Sequence, residues 1–241
     1  MHFSVITPTY NRPEYLLEEL RSIQRQLGEI WEVVVVDDGD GSGIQVVRDL
    51  NDSRIKAIQN PGTGQVEARN AGVRLANGDH IVLLDDDDLL AVPDYLSQVK
   101  TLLTTEPALV HSFGWMIEEE GGNRHLWDLK ADPCSLRKDN TLLVAGLTYP
   151  RVFHKELGDF DATVGGYFDW DWHLRVTAAG YPLKTIESPS VVYRIHAGSG
   201  SSKVKAKRRK HSFELLCRKH GLETNIKNHA VVFSELRQKD S

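Results

Sequence analysis

The sequence predicts an α/β fold in which a mostly parallel central sheet is flanked by helices, and three features of the chain carry that prediction. Short, largely apolar runs recur at 3–7, 31–36 and 81–84, the last of them continuous, the pattern of strands buried on both faces. Between them lie stretches with apolar residues at helical spacing, and strand alternating with helix through short connections implies right-handed crossovers and parallel pairing. Polar and charged residues then gather directly after the first, second and fourth strands. That edge, beyond the carboxyl ends of the strands, is where open α/β sheets bind ligands.

Taken in order, the strand over 3–7 leads into Pro8-Thr9-Tyr10-Asn11-Arg12. Pro13 then opens a helix carrying Leu16, Leu17, Leu20, Ile23 and Leu27, stopped by Gly28. The second strand, over 31–36, ends in Asp37-Asp38-Gly39. A short helix over 44–50 and a third strand over 54–59 precede the turn Asn60-Pro61-Gly62-Thr63-Gly64. Residues 65–76 predict a helix with Ala68, Ala71 and Leu75 inward and Asn77-Gly78 as its stop. The fourth strand, Ile81-Val82-Leu83-Leu84, runs straight into Asp85, Asp86, Asp87 and Asp88. Four adjacent carboxylates repel one another unless a cation is supplied, which makes a divalent metal their natural partner, with a solvated acidic turn as the alternative.

The second half is less regular. It predicts a helix over 93–105, a strand over 108–117, an acidic hairpin at Glu118-Glu119-Glu120-Gly121-Gly122 and a returning strand over 126–129. Residues 130–147 assign poorly, with Ser135 or Asp139 able to start a short helix. A strand over 149–154 follows, then a helix opening near Asp169, and strands over 183–186 and 190–195. Gly198 and Gly200 sit in a Gly/Ser run with hinge freedom. The basic segment 203–211 leads into a helix with Phe213, Leu215, Leu216 and Cys217 apolar; a solvated face, a lid over an anionic ligand and a patch for anionic membrane are its three readings.

Composition narrows the function. The 241 residues are 40% apolar and 26% charged, ordinary for a globular protein with a real core. A net charge of -5 argues against nucleic acid as the partner. Cys134 and Cys217 stand far apart and form neither a disulfide framework nor a metal knuckle. No run reaches the roughly 18 apolar residues of a membrane span, and the start reads directly into a strand without a signal pattern. The expectation is a cytoplasmic protein, with 203–211 as a contact for peripheral membrane attachment; nothing in the pattern fixes an oligomeric state. No G-x-G-x-x-G follows the first strand and no G-x-x-x-x-G-K-[ST] occurs, so neither the dinucleotide fingerprint nor the P-loop is present.

Four segments in order, Val5-Ile6-Thr7-Pro8-Thr9-Tyr10-Asn11-Arg12, Val33-Val34-Val35-Val36-Asp37-Asp38-Gly39, the run from Gly64 to Gly72, and Leu84-Asp85-Asp86-Asp87-Asp88, resemble family 2 glycosyltransferases of the GT-A type, whose Rossmann-like sheet carries a mixed acceptor-side half. The resemblance covers about residues 3–196. It implies a nucleotide-sugar donor, most often a UDP-sugar, a Mn²⁺ or Mg²⁺ ion, inversion at the anomeric carbon, and a saccharide or lipid-linked acceptor. It divides the chain into a donor half at 1–92, an acceptor half at 93–202 and a C-terminal basic helix and tail at 203–241.

Residue by residue, the resemblance assigns Thr9, Tyr10, Arg12, Asp38 and Arg69, with Asp85 and Asp86, to the nucleotide sugar. Asp85-x-Asp87 matches the D-x-D metal motif with Asp87 first, Asp86 and Asp88 pointing elsewhere, and His196 in the R-x-H segment as a further ligand. The segment 165–175 matches the family's E-D-x-D-L-x-x-x-R, which makes Asp169 the base and Asp171 the alternative; Phe168 stands where the family often has Glu. Independently of the family, Trp170 beside these acids is a candidate acceptor platform, because sugar C–H faces pack on indole rings. Two other classes remain open. A sugar-phosphate nucleotidyltransferase would need a Gly-rich loop after the first strand, absent from 7–12, and a non-catalytic nucleotide- or sugar-binding protein would tolerate loss of Asp169.

Overall fold

Strands that are apolar on both faces are stable only where helices cover both sides of the sheet. In the computed structural model, which describes residues 1–196, 206–223 and 225, the chain meets that requirement with seven helices and one sheet. Strand β1 (His2–Thr9) lies between β2 (Ile30–Asp37) and β4 (His80–Leu83) and is parallel to both, and β3 (Ile55–Gln59) continues in parallel beyond β2. Helices α1 (Pro13–Gln24), α2 (Ser42–Leu50) and α3 (Gln65–Leu75) make the crossovers.

Past β4 the sheet turns mixed. Strand β8 (Leu147–Pro150) runs antiparallel to β4, β6 (Leu109–Glu118) pairs with β8, and β9 (Leu183–Ile195) is parallel to β6. A two-residue strand, β5 (Leu89–Leu90), closes that edge against β9, while β7 (Arg124–Trp127) lies on the free half of β6. The order is therefore β3-β2-β1-β4-β8-β6-β9-β5, unbroken from the parallel half to the mixed half. Because β1 has β2 on one side and β4 on the other, the chain reverses its direction of growth at β1, and the crevice beyond the ends of β1 and β4 is where such sheets bind ligands.

Alternate residues sort the core into two layers. Phe3, Val5, Val33 and Val35 pack with Leu16, Leu20 and Ile23 of α1 and with Tyr95, Leu96 and Val99 of α4 (Tyr95–Leu103). Ile6, Val34 and Val36 face α3, α6 (Phe168–Ala178) and Phe213 and Leu216 of α7 (Ala206–His220). The remaining helix, α5 (Val152–Leu157), places Phe153 in the same layer.

Several expected elements shift. The predicted strand over 149–154 is half strand and half helix: Tyr149 and Pro150 pair with Ile81 and His80, after which Arg151 N–H donates to Asp79 and the chain turns into α5. Tyr149 and Phe153 are both buried with their rings stacked, an apolar spacing that a strand pattern shares. Leu27 and Leu75, expected inward, are 64% and 42% exposed, because α1 ends at Gln24 and Leu75 closes α3. The two late strands are one, β9, with a register shift opposite Phe113 that accommodates Pro189. The segments 197–205 and 226–241 lie outside the described residues.

Helix α3 presses closely on the sheet at Gly72, where an added Cβ would lie 2.5 Å from Ile6 Cγ2. Gly72→Ala is expected to lower the unfolding free energy by about 1–3 kcal/mol in urea melts, although alanine is the better helix former. A stability equal to or above that of the parent would show that α3 can step back from β1.

Candidate active site

The site is assembled from the loops after β1, β2 and β4. Thr9, the last residue of β1, is in register with Asp37 of β2. Asp37 is fully buried and accepts the backbone N–H groups of Gly39 and Gly43 at 2.8 Å and of Ile44 at 3.3 Å, so it holds the start of α2 rather than a ligand. Its neighbour Asp38 is half-buried and accepts from Gly64 N at 2.9 Å and Asn60 Nδ2 at 2.7 Å, which ties the second loop to the start of α3. Gly39 is required by close approach, since a Cβ there would fall 2.0 Å from Asn11 Oδ1. Tyr10 stands 59% exposed at the rim.

The four acids after β4 form a tight turn closed by Asp88 N–H to Asp85 O at 2.9 Å. Arginines answer them from three directions. Arg12 pairs with Asp86 at 2.8 Å and Asp87 at 2.5 Å, Arg69 pairs with Asp85, and Arg194 gives its backbone N–H to Asp88 at 3.1 Å and its guanidinium to the Asp87 carbonyl and, at 2.5 Å, to Glu18. Asp86 is turned under the first loop, accepting from Thr9 Oγ1 at 2.7 Å. Burial pushes its carboxyl up to about 7 against the pull of Arg12. Asp88 is held well above the carboxylate range by burial and by Asp87 and Asp85.

The turn leaves carboxylate oxygens of Asp85, Asp87 and Asp88 within 4.8 Å of one another, and Asp88 Oδ2 has no hydrogen-bond partner among the described residues. A hard divalent cation prefers such an oxygen set. Asp85 and Asp87, the two acids matched to the D-x-D motif, lie together, and Asp88, expected to point elsewhere, lies with them. His196 Nε2 lies 2.9 Å from Asp87 and 3.2 Å from Arg12, with its ring stacked on Tyr15 at 4.9 Å. Tyr15 in turn donates to Glu119 at 2.5 Å, which pushes its phenol up to about 12.

Asp169 lies in the first turn of α6, 7% exposed, and accepts from Asn140 Nδ2 at 2.7 Å. Burial raises its carboxyl to about 6, opposed by Asn140, by the Trp170 amide and by the charge of Arg69. Arg69 is itself 1% exposed, lies 4.3 Å over the Phe168 ring and reaches Asp85, so it links the acid turn to the start of α6. The Tyr193 phenol is raised by burial first and then by Asp88, Asp85, Asp87 and Asp169, placing it within electrostatic reach of both acid sets.

Two expected roles change. Asp171, the alternative base, is fully buried with both oxygens engaged, by Arg175 Nε at 2.8 Å on one and by Lys219 at 2.7 Å and His220 at 2.8 Å on the other. Burial alone would raise it, but the partners from α7 and Arg175 hold it below the usual carboxylate range. Trp170 is 5% exposed, donates its indole N–H to Leu136 O at 2.6 Å and packs against Tyr167 and Phe213, so it serves the core rather than an open acceptor surface. Of the basic segment, 203–205 lies outside the described residues, and Arg209 donates to the Tyr167 hydroxyl at 3.2 Å. Sequence reasoning missed Asn140, Tyr15 and Arg194. Only Arg194, inside the R-x-H segment, carried a signal.

The two acids of α6 respond oppositely to neutralisation. Asp169 is raised above its unfolded value of 3.8, so its stabilising protonated form is complete below that pH and lost as pH rises through about 6. Asp169→Asn is therefore expected to melt at or above the parent temperature at neutral pH. Asp171→Asn strips the counter-charge from Arg175 and Lys219 and is expected to cost about 3 kcal/mol. Thermal melts of the pair at neutral pH decide this, and the reverse ranking would overturn the assignment of the ionic role to Asp171.

The chain matches the profile of Glycosyl transferase family 2 over residues 4–163. It is 36% identical to the uncharacterized glycosyltransferase YwdF of Bacillus subtilis across 99% of this chain and 92% of that protein. Its fold is similar to that of Staphylococcus aureus TarS 1–349 in complex with UDP-GlcNAc, with a TM-score of 0.72, 19% identity, and coverage of 90% of this chain and 66% of TarS 1–349. It is likewise similar to the mannosyltransferase PcManGT of Pyrobaculum calidifontis in complex with GDP-Man and Mn²⁺, with a TM-score of 0.64, 23% identity, and coverage of 90% and 64%. The chain thus spans about two thirds of these solved structures. With the parallel half-sheet, the acid turn at its carboxyl edge and a family match over most of its length, the chain belongs to glycosyl transferase family 2.

Proposed function

We propose that this glycosyltransferase moves a sugar from a nucleotide-sugar donor, with UDP-sugars favoured, to an acceptor hydroxyl with inversion and with the help of a divalent cation. One observation carries the reading: Asp85, Asp87 and Asp88 converge at one sheet edge, and Arg69, paired with Asp85, also pulls on Asp169. The complexes of TarS with UDP-GlcNAc and of PcManGT with GDP-Man and Mn²⁺ support a nucleotide-sugar donor and a metal.

In this reading exposed Tyr10 and the Asp38 turn wall the base, while Arg12 and Arg69 supply cationic forks to the diphosphate end. Mn²⁺ or Mg²⁺ would be held by Asp85, Asp87 and Asp88, with His196 beside Asp87, and when bound it neutralises charge on the departing diphosphate. Asp169 takes the acceptor hydroxyl proton as the acceptor oxygen forms its bond to the anomeric carbon. On the opposite face the bond from that carbon to the diphosphate oxygen breaks, and the nucleoside diphosphate leaves with the electron pair. A carboxyl near 6 suits this role, being ionised at neutral pH yet more basic than an exposed carboxylate. The acceptor is a saccharide or lipid-linked hydroxyl compound. No helix among the described residues is long and apolar enough to cross a membrane.

Screening UDP-, GDP- and TDP-sugars for Mn²⁺-dependent donor hydrolysis identifies the nucleotide. With the active donor, Asp169→Asn is expected to lower kcat by roughly 10²–10⁴ while donor affinity holds. In the parent enzyme kcat/KM falls as pH drops through about 6, because the base must be ionised to act. Full transfer by Asp169→Asn would remove the base assignment. Calorimetry tests the metal separately: Mn²⁺ should strengthen UDP binding to the parent and fail to do so for Asp87→Asn, and a cation-independent parent would sink that role.

A further inference from the structure

We infer that Asn140 and His173 form a two-step positioning device for Asp169, in which His173 fixes the amide of Asn140 and that amide fixes the carboxylate. The inference rests on the reading of Asp169 as base. Asn140 is half-buried in the irregular segment between the turn at Ser135–Arg137 and β8, and its side chain bridges two groups of α6. Nδ2 donates to Asp169 Oδ2 at 2.7 Å, and Oδ1 lies 3.2 Å from His173 Nδ1.

The chemistry of the ring sets the direction of this chain. His173 is fully buried, and its Nε2 has no hydrogen-bond partner among the described residues. A proton on Nε2 would be an orphaned donor, whereas a proton on Nδ1 meets the Asn140 carbonyl, so the neutral Nδ1–H tautomer is selected. Burial, with His111 nearby, holds the imidazole down to about 3, so the ring stays neutral across the working range. A neutral Nδ1–H accepts only one orientation of the amide. Were the amide to turn over, its oxygen would face the Asp169 carboxylate and its NH₂ would face the Nδ1–H, leaving two repulsive contacts in a buried site.

The device does two things for the base. It holds one carboxylate oxygen in a fixed direction, and it donates to the ionised form, which offsets part of the burial that disfavours ionisation. The other groups acting on Asp169 are Arg69 from α3, Tyr167 from the turn before α6 and Tyr193 from β9; of these only Arg69 is charged at neutral pH, and it is already paired with Asp85. Asp171, on the same helix, is neutralised by its own partners. Asn140 is therefore the adjustable partner of the base, and its side-chain hydrogen bonds go to Asp169 and His173 of α6.

The test is the pH dependence of kcat for Asn140→Ala, Asn140→Asp and His173→Phe, with melting temperature and donor affinity measured on each. Asn140→Ala is expected to move the acidic limb to higher pH by roughly one pH unit and to lower kcat about tenfold, with donor affinity unchanged. Asn140→Asp, which sets a second carboxyl against the first, should move the limb further, and His173→Phe, which frees the amide to turn, should move it less. Asn140 is half-buried, so the alanine variant decides the matter even where His173→Phe fails to fold. A limb that stays in place in Asn140→Ala while Asp169→Asn is inactive overturns the positioning device alone. Full activity of Asp169→Asn overturns the base reading beneath it.

Discussion

The structure depends on desolvating four consecutive carboxylates at the end of a strand with no exposed face. Taking an ion out of water costs several kcal/mol even after relaxation, and close opposite charges with further hydrogen bonds are what offset it. Asp86 and Asp88 are fully buried, and the chain answers with Arg12 from the first loop, Arg69 from α3 and Arg194 from β9. Those residues come from distant parts of the sequence, so the acid turn forces the first loop, α3 and the last strand to converge. Burial is the main cause of the raised carboxyls of Asp86 and Asp88, and the neighbouring acids of the turn add to it.

This refines the inference from charge alone. Four acids in sequence invite a metal, yet the protein supplies most of the counter-charge itself and divides the acids by geometry. Asp86 goes to Thr9 and Arg12 and serves the loop; Asp85, Asp87 and Asp88 keep oxygens close together. Arg12 and His196 both reach Asp87 Oδ2, at 2.5 Å and 2.9 Å, so the first loop and the end of β9 meet on one oxygen.

The parallel half of the sheet was legible because its physics is local. Strands such as Val33 to Val36 are apolar throughout, Pro13 and Gly28 bracket the first helix region, and motif residues sit at strand ends where topology must bring them together. The mixed half was less legible because its contacts are long-range. Asn140 lies in a segment without periodicity, and it matters only because α6 passes beside it. Strand β5 is two residues long and exists because β9 lies alongside, and Tyr149 with Phe153 mimics a strand since a buried strand and a buried helix turn both space aromatics closely. Trp170 looked like a platform for the same reason: residue type signals an apolar surface, and only the packing of α7 decides whether that surface is covered.

Asp169 and Asp171 show how environment separates two identical side chains two residues apart. Both sit in the first turn of α6, where the helix dipole favours the ionised form equally. The difference comes from what reaches them. Asp171 turns toward α7 and Arg175 and receives the cations of Arg175 and Lys219 together with a hydrogen bond from His220, so its carboxyl falls despite full burial. Asp169 turns the other way and is met by the neutral amides of Asn140 and Trp170 and the distant pull of Arg69, so burial carries its carboxyl up to about 6. An acid bonded by cations is a structural tie that gives up stability when it takes a proton. An acid held by neutral donors can ionise near neutrality and still accept a proton. The sequence motif names both residues, and α7, a helix without a motif of its own, decides which of them is tied down by charge.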